Sequence, residues 1–569
     1  MESIVKNGIV FDPLNSIKGE KKDICINDGK IVEKVNERKA KIIDAQNMVV
    51  MPGGIDIHSH ISGGKVNSGR LFRPEDSLRY ILPKTGVTRS GSGFSVTSTF
   101  MTGYLYARMG YTTVMSPAMP PLMGRHTHEE LNDTPMIDKA TYPLFDGNWF
   151  VMNYLKNGEI EKCAAYAAWL LRSVKGYTIK IVNPCGTEAW GWGRNITDID
   201  ERVPYFDVSP RDMIKGLSEV NEMLGLPHSI HLHPNNLGRP GNYTTTLDSF
   251  NVLNGKQSKE ERQILHIAHA QFHSYGGDSW KDFESKSEDI AKDTNKKDNT
   301  TVDLGLVTLD ETTTMTADGP MEYYLSSLTP LKWVNRDVEL ETAPGITPFV
   351  YSSKVSVHSI QWATGLELAL LIKDPMKVLL STDHPNGGPF FRYPRLITWL
   401  MSKKYRDEKI DKIHKAVNKR ATLSSIDREY DFYEIAAITR AAEAKALGLS
   451  KTKGHLGVGA DADVAIYDMN PEEIDPSRDY KEIEEKFSKA KYTIKDGTVV
   501  VKDGEIVKSV QGKTHWVNAK VDEDLEKEMM KDVEYNFKRF YTVNLGNYPI
   551  PESYLTRSGR IDIDATHVS

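Results

Sequence analysis

The chain has 569 residues, 72 Lys and Arg against 78 Asp and Glu, a net charge of −6, and 39% hydrophobic and 26% charged residues. This is the composition of a folded globular protein with room for a sizeable core, and its slight acidity argues against holding phosphate backbones by bulk charge. Its three cysteines, Cys25, Cys163 and Cys185, stand far apart without a CxxC pair, which excludes a cysteine-ligated iron–sulfur cluster and argues against a disulfide framework.

The first fifty residues read as short strands punctuated by Gly and Asp: Ile4–Phe11, Asp23–Asn27, Lys30–Val35 and Lys41–Ile43. The middle alternates short apolar strands with helix-like stretches such as Ile160–Lys175 and Ser209–Leu224. The predicted strands are Met48–Ile57, Thr112–Met115, Phe150–Tyr154, Tyr177–Val182, Ser229–Leu232, Ile264–Ala268, Val302–Thr308 and Val378–Thr382. Eight strands alternating with helices predict a parallel α/β barrel of the (β/α)8 kind, whose site collects at the C-terminal strand ends. The strands span about 340 residues, more than the ~250 of a minimal barrel. Loops are therefore expected at Ser62–Thr99, Pro117–Asn148, Gly186–Pro204 and Pro320–Ser356.

The charge-rich stretches Lys281–Thr300 and Lys403–Arg420 read as solvated surface. Strand texture returns at Ala462–Tyr467, Tyr492–Ile494, Thr498–Lys502 and Glu505–Lys508, with Asp-Gly turns at 496–497 and 503–504. The two ends are expected to pair into one small β-sandwich; two separate β caps is the alternative that periodicity leaves open. A helix over Asp522–Phe540 and a Pro/Tyr-rich tail follow. The predicted organisation is thus 1–50 and 451–515 as halves of a β-sandwich, 51–450 as the barrel, and 516–569 as a C-terminal extension. The longest apolar stretch, Ala164–Leu171, falls far short of the ~20 residues of a membrane span. The N-terminus lacks the basic-then-apolar pattern of a signal peptide, so the chain reads as cytoplasmic.

The strongest chemical feature is Asp56-Ile57-His58-Ser59-His60 at the end of an apolar run. Alternate residues of a strand face the same way, so His58 and His60 would point together, about 7 Å apart, as a chelate for a metal such as zinc. His126 and His128 share the spacing but follow a loop, and they read as ordinary surface residues. Further histidines end later strands: His228, His231 and His233 in PHSIHLHP, and His266, His269 and His273 in QILHIAHAQFH. Asp383 ends the apolar run VLLSTDHP, where a carboxylate can ligate a metal and move a proton. Lys180 lies inside the apolar strand YTIKIVNP, where a lysine is costly unless paired or neutralised. Carboxylation of its amine by CO2 is one neutralising route; pairing to an acid is the other.

Together PGGIDIHSH, Lys180, these histidines, Asp383 and Gly454–Asp463 (GHLGVGADAD) resemble the amidohydrolase superfamily over most of residues 1–510. Longer stretches are similar to one branch of it, the A-subunit family of formylmethanofuran dehydrogenase: 65–77, 89–100, 179–193, 228–243, 269–277, 309–323 and 382–390. The resemblance implies two divalent metal ions, zinc being expected, with His58 and His60 on one and His231 and His269 on the other. Carboxylated Lys180 would bridge them, and Asp383 would be ligand and general acid/base. His233 and His266 remain alternatives to His231 and His269. The implied reaction is the reversible condensation of formate with methanofuran in CO2 reduction and methanogenesis. Implied partners are subunits carrying a tungsten- or molybdenum-pterin and iron–sulfur clusters, since this chain has no cluster motif and no dinucleotide loop. Arg70, Arg73, Asn235 and Arg239 are candidates for the methanofuran tail because they follow metal-bearing strands. A free-standing cyclic amidohydrolase of the hydantoinase or dihydroorotase kind and a non-catalytic scaffold barrel are the competing readings.

Overall fold

In the computed structural model, which describes residues 2–329, 331–335 and 344–568, parallel strands of the middle of the chain close into a ring. In order they are Gly54–Asp56, Tyr111–Met119, Asp138–Pro143, Lys180–Val182, Ile230–His233, Leu265–Ile267, Thr300–Asp303 and Val378–Leu379. Six neighbouring pairs are parallel ladders. The bridge Leu144–Lys180 joins the third strand to the fourth, and Ser59–His384 returns the eighth to the first.

Helices pack outside this ring, and their sequences explain where they start and stop. Pro210–Leu224 begins behind Ser209, whose side chain caps the Asp212 amide while Asp212 answers in a capping box; Gly225, at φ 63°, ends it. Ile160–Val174 buries Cys163, Tyr166, Leu170, Leu171 and Val174, the 3.6-residue stripe of a helix laid on a sheet.

Three sequence expectations need correction. Phe150–Tyr154 is not a strand but part of the helix Trp149–Asn157, started by Asn148 accepting from the Phe150 and Val151 amides. The third strand is instead Asp138–Pro143, inside the stretch expected to be a loop. Met48–Ile57 divides into two strands at Gly53, where a Cβ would sit 2.3 Å from Thr112 Oγ1. Residues 330 and 336–343 of the expected loop Pro320–Ser356 lie outside the described residues.

The two chain ends share one nine-stranded sheet. Ser3–Asp12 pairs with Ile17–Asn27, Lys41–Asp44 and Val49–Pro52, and Val49–Pro52 receives Val464–Tyr467 in antiparallel register, Val464 opposite Pro52. Tyr492–Lys495, Thr498–Lys502 and Glu505–Ile506 continue it. Val5, Ile24, Ile26, Val50, Val464, Ile466 and Ile494 form its buried cluster. Beyond it, Glu523–Phe540 is helical, and Ser558–Asp564 pairs with Thr514–Lys520, which meets the ring at Lys139.

Ring and sheet are joined by buried charge. Lys453 Nζ lies 2.6 Å from Asp138, 3.1 Å from Asp461 and 2.9 Å from Asp463, and Lys495 Nζ lies 3.0 Å from Asp138 and 3.1 Å from Asp463. Burial alone would raise the Asp138 carboxyl, but the two lysines outweigh it and hold it well below the usual range; Lys453 likewise holds Asp461 down. A carboxylate whose folded pKa lies below its unfolded value of about 3.9 contributes stability that is complete above that value and is lost as pH falls through the folded one. The joint should therefore hold at neutral pH and weaken only in strong acid, below about pH 4. Lys453→Met leaves three buried carboxylates undercompensated and should cost about 3–5 kcal/mol at neutral pH. The denaturant midpoint measures it, and an unchanged midpoint would remove the joint from the stabilising interactions.

Candidate metal centre

The first ring strand is held at its end by Asp56, whose carboxylate accepts from the Tyr106 and Tyr393 hydroxyls and from the His58 amide. His58 and His60 follow, 1% and 4% exposed, with ring centroids 5.3 Å apart. His60 Nδ1 donates to the Pro117 carbonyl at 3.2 Å, which turns Nε2 toward Asp383 Oδ1 at 2.9 Å. His58 Nε2 reaches the same oxygen at 3.1 Å, while its Nδ1 faces Asp303 Oδ2 at 3.1 Å and His231 Nε2 at 3.0 Å. Burial, with Lys65 nearby, pushes His60 down to about 3, so its ring is neutral. Neutral imidazole is the form that ligates metals.

Of the fifth-strand histidines, His231 points to the centre and His228 stands behind it, Nε2 to Nδ1 3.1 Å. His233 turns to Asp318, 3.3 Å away. After the sixth strand, His269 brings Nε2 to 3.9 Å from Asp383 Oδ2, whereas His266 lies deeper, against Asp303 and Thr301. Two sets of donor atoms lie within 4.8 Å of one another: His58, His231 and Asp303, and His58, His269 and Asp383. Asp383 is held well below the usual carboxylate range, since His58 and His269 outweigh its burial.

Lys180 pairs in register with His231 on the neighbouring strand and is 1% exposed. Burial lowers its ammonium to about 8, with Asp303, Asp383 and Asp146 opposing. Its Nζ, His269 Nδ1 and Asp383 Oδ1 are buried without a hydrogen bond. Leaving such atoms unpaired costs about 1–3 kcal/mol each, so this donor set fits a group that would engage nitrogen and oxygen ligands. Imidazoles with carboxylates suit zinc and also Mn, Fe, Co and Ni.

The other sequence candidates are placed differently. Arg70 reaches Glu130 at 2.6 Å and the Thr97 carbonyl, and Arg73 reaches Glu311 at 2.5 Å and the Thr312 carbonyl. Asn235 is buried against Asn183 and Pro184. Arg239 lies over the Tyr324 ring at 4.4 Å. His126 and His128 lie on the helix Gly124–Asn132; His128 is not the surface residue expected but fully buried, its Nε2 donating to the Val174 carbonyl. Two groups escaped sequence reasoning. Asp303 sits in an apolar strand just as Lys180 does, and that was its signal. Lys65, buried and lowered to about 7 by that burial, comes from the stretch 65–77, where nothing but the motif pointed to it.

The chain matches the family model described as amidohydrolase family over residues 41–501. It is 60% identical to "Protein FwdA" of Methanocaldococcus jannaschii, over all of both chains. It is 35% identical to the A subunit of the formyltransferase/hydrolase complex Fhc of Methylorubrum extorquens, over 92% of each. Among solved structures, the formyltransferase/hydrolase complex FhcABCD of Methylorubrum extorquens with methylofuran superimposes with a TM-score of 0.89 at 34% identity, covering 99% of this chain and 100% of that one.

Proposed function

Because the chain belongs to the amidohydrolase family, we propose that it is the A subunit of formylmethanofuran dehydrogenase, and that its ring carries a two-metal site that reversibly condenses formate with methanofuran. The observation behind this reading is that His58, His60, Lys180, His231, His269 and Asp383 converge at one end of the ring, in a chain similar over 92% of its length to the A subunit of a formyltransferase/hydrolase complex. His58 and His60 would hold one ion, His231 and His269 the other. Carboxylated Lys180, formed when the amine adds CO2 and loses a proton, would hold both. When bound, two such ions supply Lewis acidity and a water acidic enough to act near neutral pH.

In the hydrolytic direction, water adds to the formyl carbon of formylmethanofuran, and the C–N bond breaks to give formate and the free amine. Asp383 takes the proton from the water and delivers it to the leaving nitrogen. In the synthetic direction it takes that proton back from the attacking amine. His60 and His231 keep their orientation through Pro117 and His228, and burial of the site excludes bulk water. Three cysteines, far apart in sequence, are too few for a four-thiolate cluster, so reduction of CO2 to formate is assigned to partner subunits with a tungsten- or molybdenum-pterin and iron–sulfur clusters. Residues 1–50 with 451–515 form the small β unit, 51–450 the catalytic barrel, and 516–569 an extension. Among the described residues no helix is long and apolar enough to cross a membrane, in keeping with a cytoplasmic complex.

The native complex, given formylmethanofuran, should release formate and contain two divalent ions per copy of this chain. Ring-opening of hydantoins or dihydroorotate without formate release would favour the cyclic amidohydrolase. Absence of both activities would favour the scaffold.

A further inference from the structure

Asp303, at the end of the seventh ring strand, is fully buried and has no part in the chemistry above. Its carboxylate nonetheless touches three other strand ends. Oδ2 faces His58 Nδ1 and His266 Nε2, each at 3.1 Å. Oδ1 accepts from the His269 amide at 2.9 Å and the Ser381 hydroxyl at 2.5 Å. A carboxylate offers about four lone-pair positions, and the chain fills all four. Asp383 differs: Oδ2 accepts from Asn386 at 2.9 Å, while Oδ1 faces the His58 and His60 nitrogens without a hydrogen bond of its own. One acid is saturated by the protein and the other is open toward the centre.

The consequences follow atom by atom. His58 stands between two carboxylates, Nδ1 at Asp303 and Nε2 at Asp383, with His231 Nε2 3.0 Å from Nδ1. With an ion held on the Nε2 side, its proton would sit on Nδ1, donated to Asp303, and the Nε2 lone pair would face the ion. His266 donates from Nε2 and accepts from the Thr301 hydroxyl at Nδ1, 2.8 Å away, which braces Asp303 from below. The His269 amide is held while its backbone adopts φ 36°, a left-handed conformation costing a non-glycine residue about 1–3 kcal/mol unless the surroundings enforce it. Gly305, two residues beyond Asp303, leaves the needed room: a Cβ there would lie 2.4 Å from His269 Cβ. Ser381 stands two residues before Asp383.

We propose that Asp303 is the positioning residue of the metal centre: by its four bonds it sets the tautomer of His58, the turn that presents His269, and the strand end that presents Asp383. This rests on the two-metal reading. A histidine ligand whose other nitrogen is held by a carboxylate is better oriented and more basic, and loss of such a partner costs 10–100-fold in metal affinity.

The test uses the complex purified with its partners. Asp303→Asn keeps the shape but replaces one acceptor oxygen with a donor. Challenged with a chelator, this variant should lose its ions at 10–100-fold lower chelator concentration than the parent, read by elemental analysis. Ser381→Ala, removing one bond of the four, should move the same way by a smaller factor. With cobalt in place of the native ions, Asp303→Asn should keep the parental absorption bands, because no ligand has been removed. Parental resistance to the chelator in Asp303→Asn would overturn the proposal. So would cobalt bands shifted to a different coordination number, which would make Asp303 a ligand beside His58 and His231. If Asp303→Asn fails to assemble, Ser381→Ala decides, and parental resistance there overturns the proposal. Metal retention is read without substrate, so if the variants lose their ions as expected while the parent complex releases no formate from formylmethanofuran, the functional reading alone fails.

Discussion

Lys180→Ala should release both metal ions together while the barrel stays folded. The lysine lies in a three-residue strand whose neighbours Ile181 and Val182 supply its packing, and its Nζ makes no hydrogen bond. Removing it therefore deletes no bond on which the fold depends; it takes away a cation whose burial disfavours charge. The cavity left by its methylenes is the main cost, of the order of 2–3 kcal/mol by analogy with other large-to-small core changes. The centre fares differently. Without the lysine, His58, His60, His231, His269 and Asp383 remain, but on the two-metal reading no group would join the two halves, and two ions held close together would repel. Elemental analysis of the purified complex should show both occupancies falling in parallel, with the unfolding transition moved by only a few degrees. Full occupancy in this variant would end the bridging role of Lys180, and loss of a single ion would confine that role to one half.

Asp383→Asn should separate chemistry from binding. The amide keeps the size of the carboxylate and can still accept the Asn386 hydrogen bond at the oxygen now placed 2.9 Å away. Four histidines and Lys180 remain to hold metal. On the proposed mechanism, what disappears is the ability to take a proton from water and hand it to the leaving nitrogen. General acid–base catalysis contributes about 10²–10⁴-fold, so kcat for formate release should fall by that factor with the metal content retained. Turnover within threefold of the parent would move the proton transfer to another group.

Much of this centre was legible because its chemistry conflicts with its surroundings in sequence. A lysine inside YTIKIV and two histidines closing an apolar run are costly unless they do something, and such costs are visible one residue at a time. Asp303 in TTVDLGL carried the same signal, masked by the ordinary strand around it. His231 and His233 share a face of their strand, so side-chain direction cannot choose between them; the resemblance favours His231 as the residue coming directly from the apolar strand, and in the structure His231 lies beside His58 and His233 beside Asp318. The third ring strand was hidden for the opposite reason. Asp138–Pro143 reads DKATYP, polar enough for a loop, because the partners of Asp138 are the distant Lys453 and Lys495, while Lys139 is only hydrogen-bonded, to the nearby Thr134 carbonyl. The apolar run Phe150–Tyr154 fits either period, although Asn148 two residues earlier is a helix cap that decides the matter for a helix.

The antiparallel pairing of Val49–Pro52 with Val464–Tyr467 also sets a timetable for the newborn chain. A ribosome adding 5–20 residues per second needs about 20–80 s to pass from the first of these segments to the second. Throughout that interval Val49, Val50 and Met51 present an unpaired apolar edge, the kind of surface on which chains stick to one another. The eight ring strands emerge before the segment that covers this edge, so the ring can close first while the sheet waits for its last partners. Truncation shortly before residue 464 should thus yield a chain that makes its ring but aggregates through its N-terminal strands.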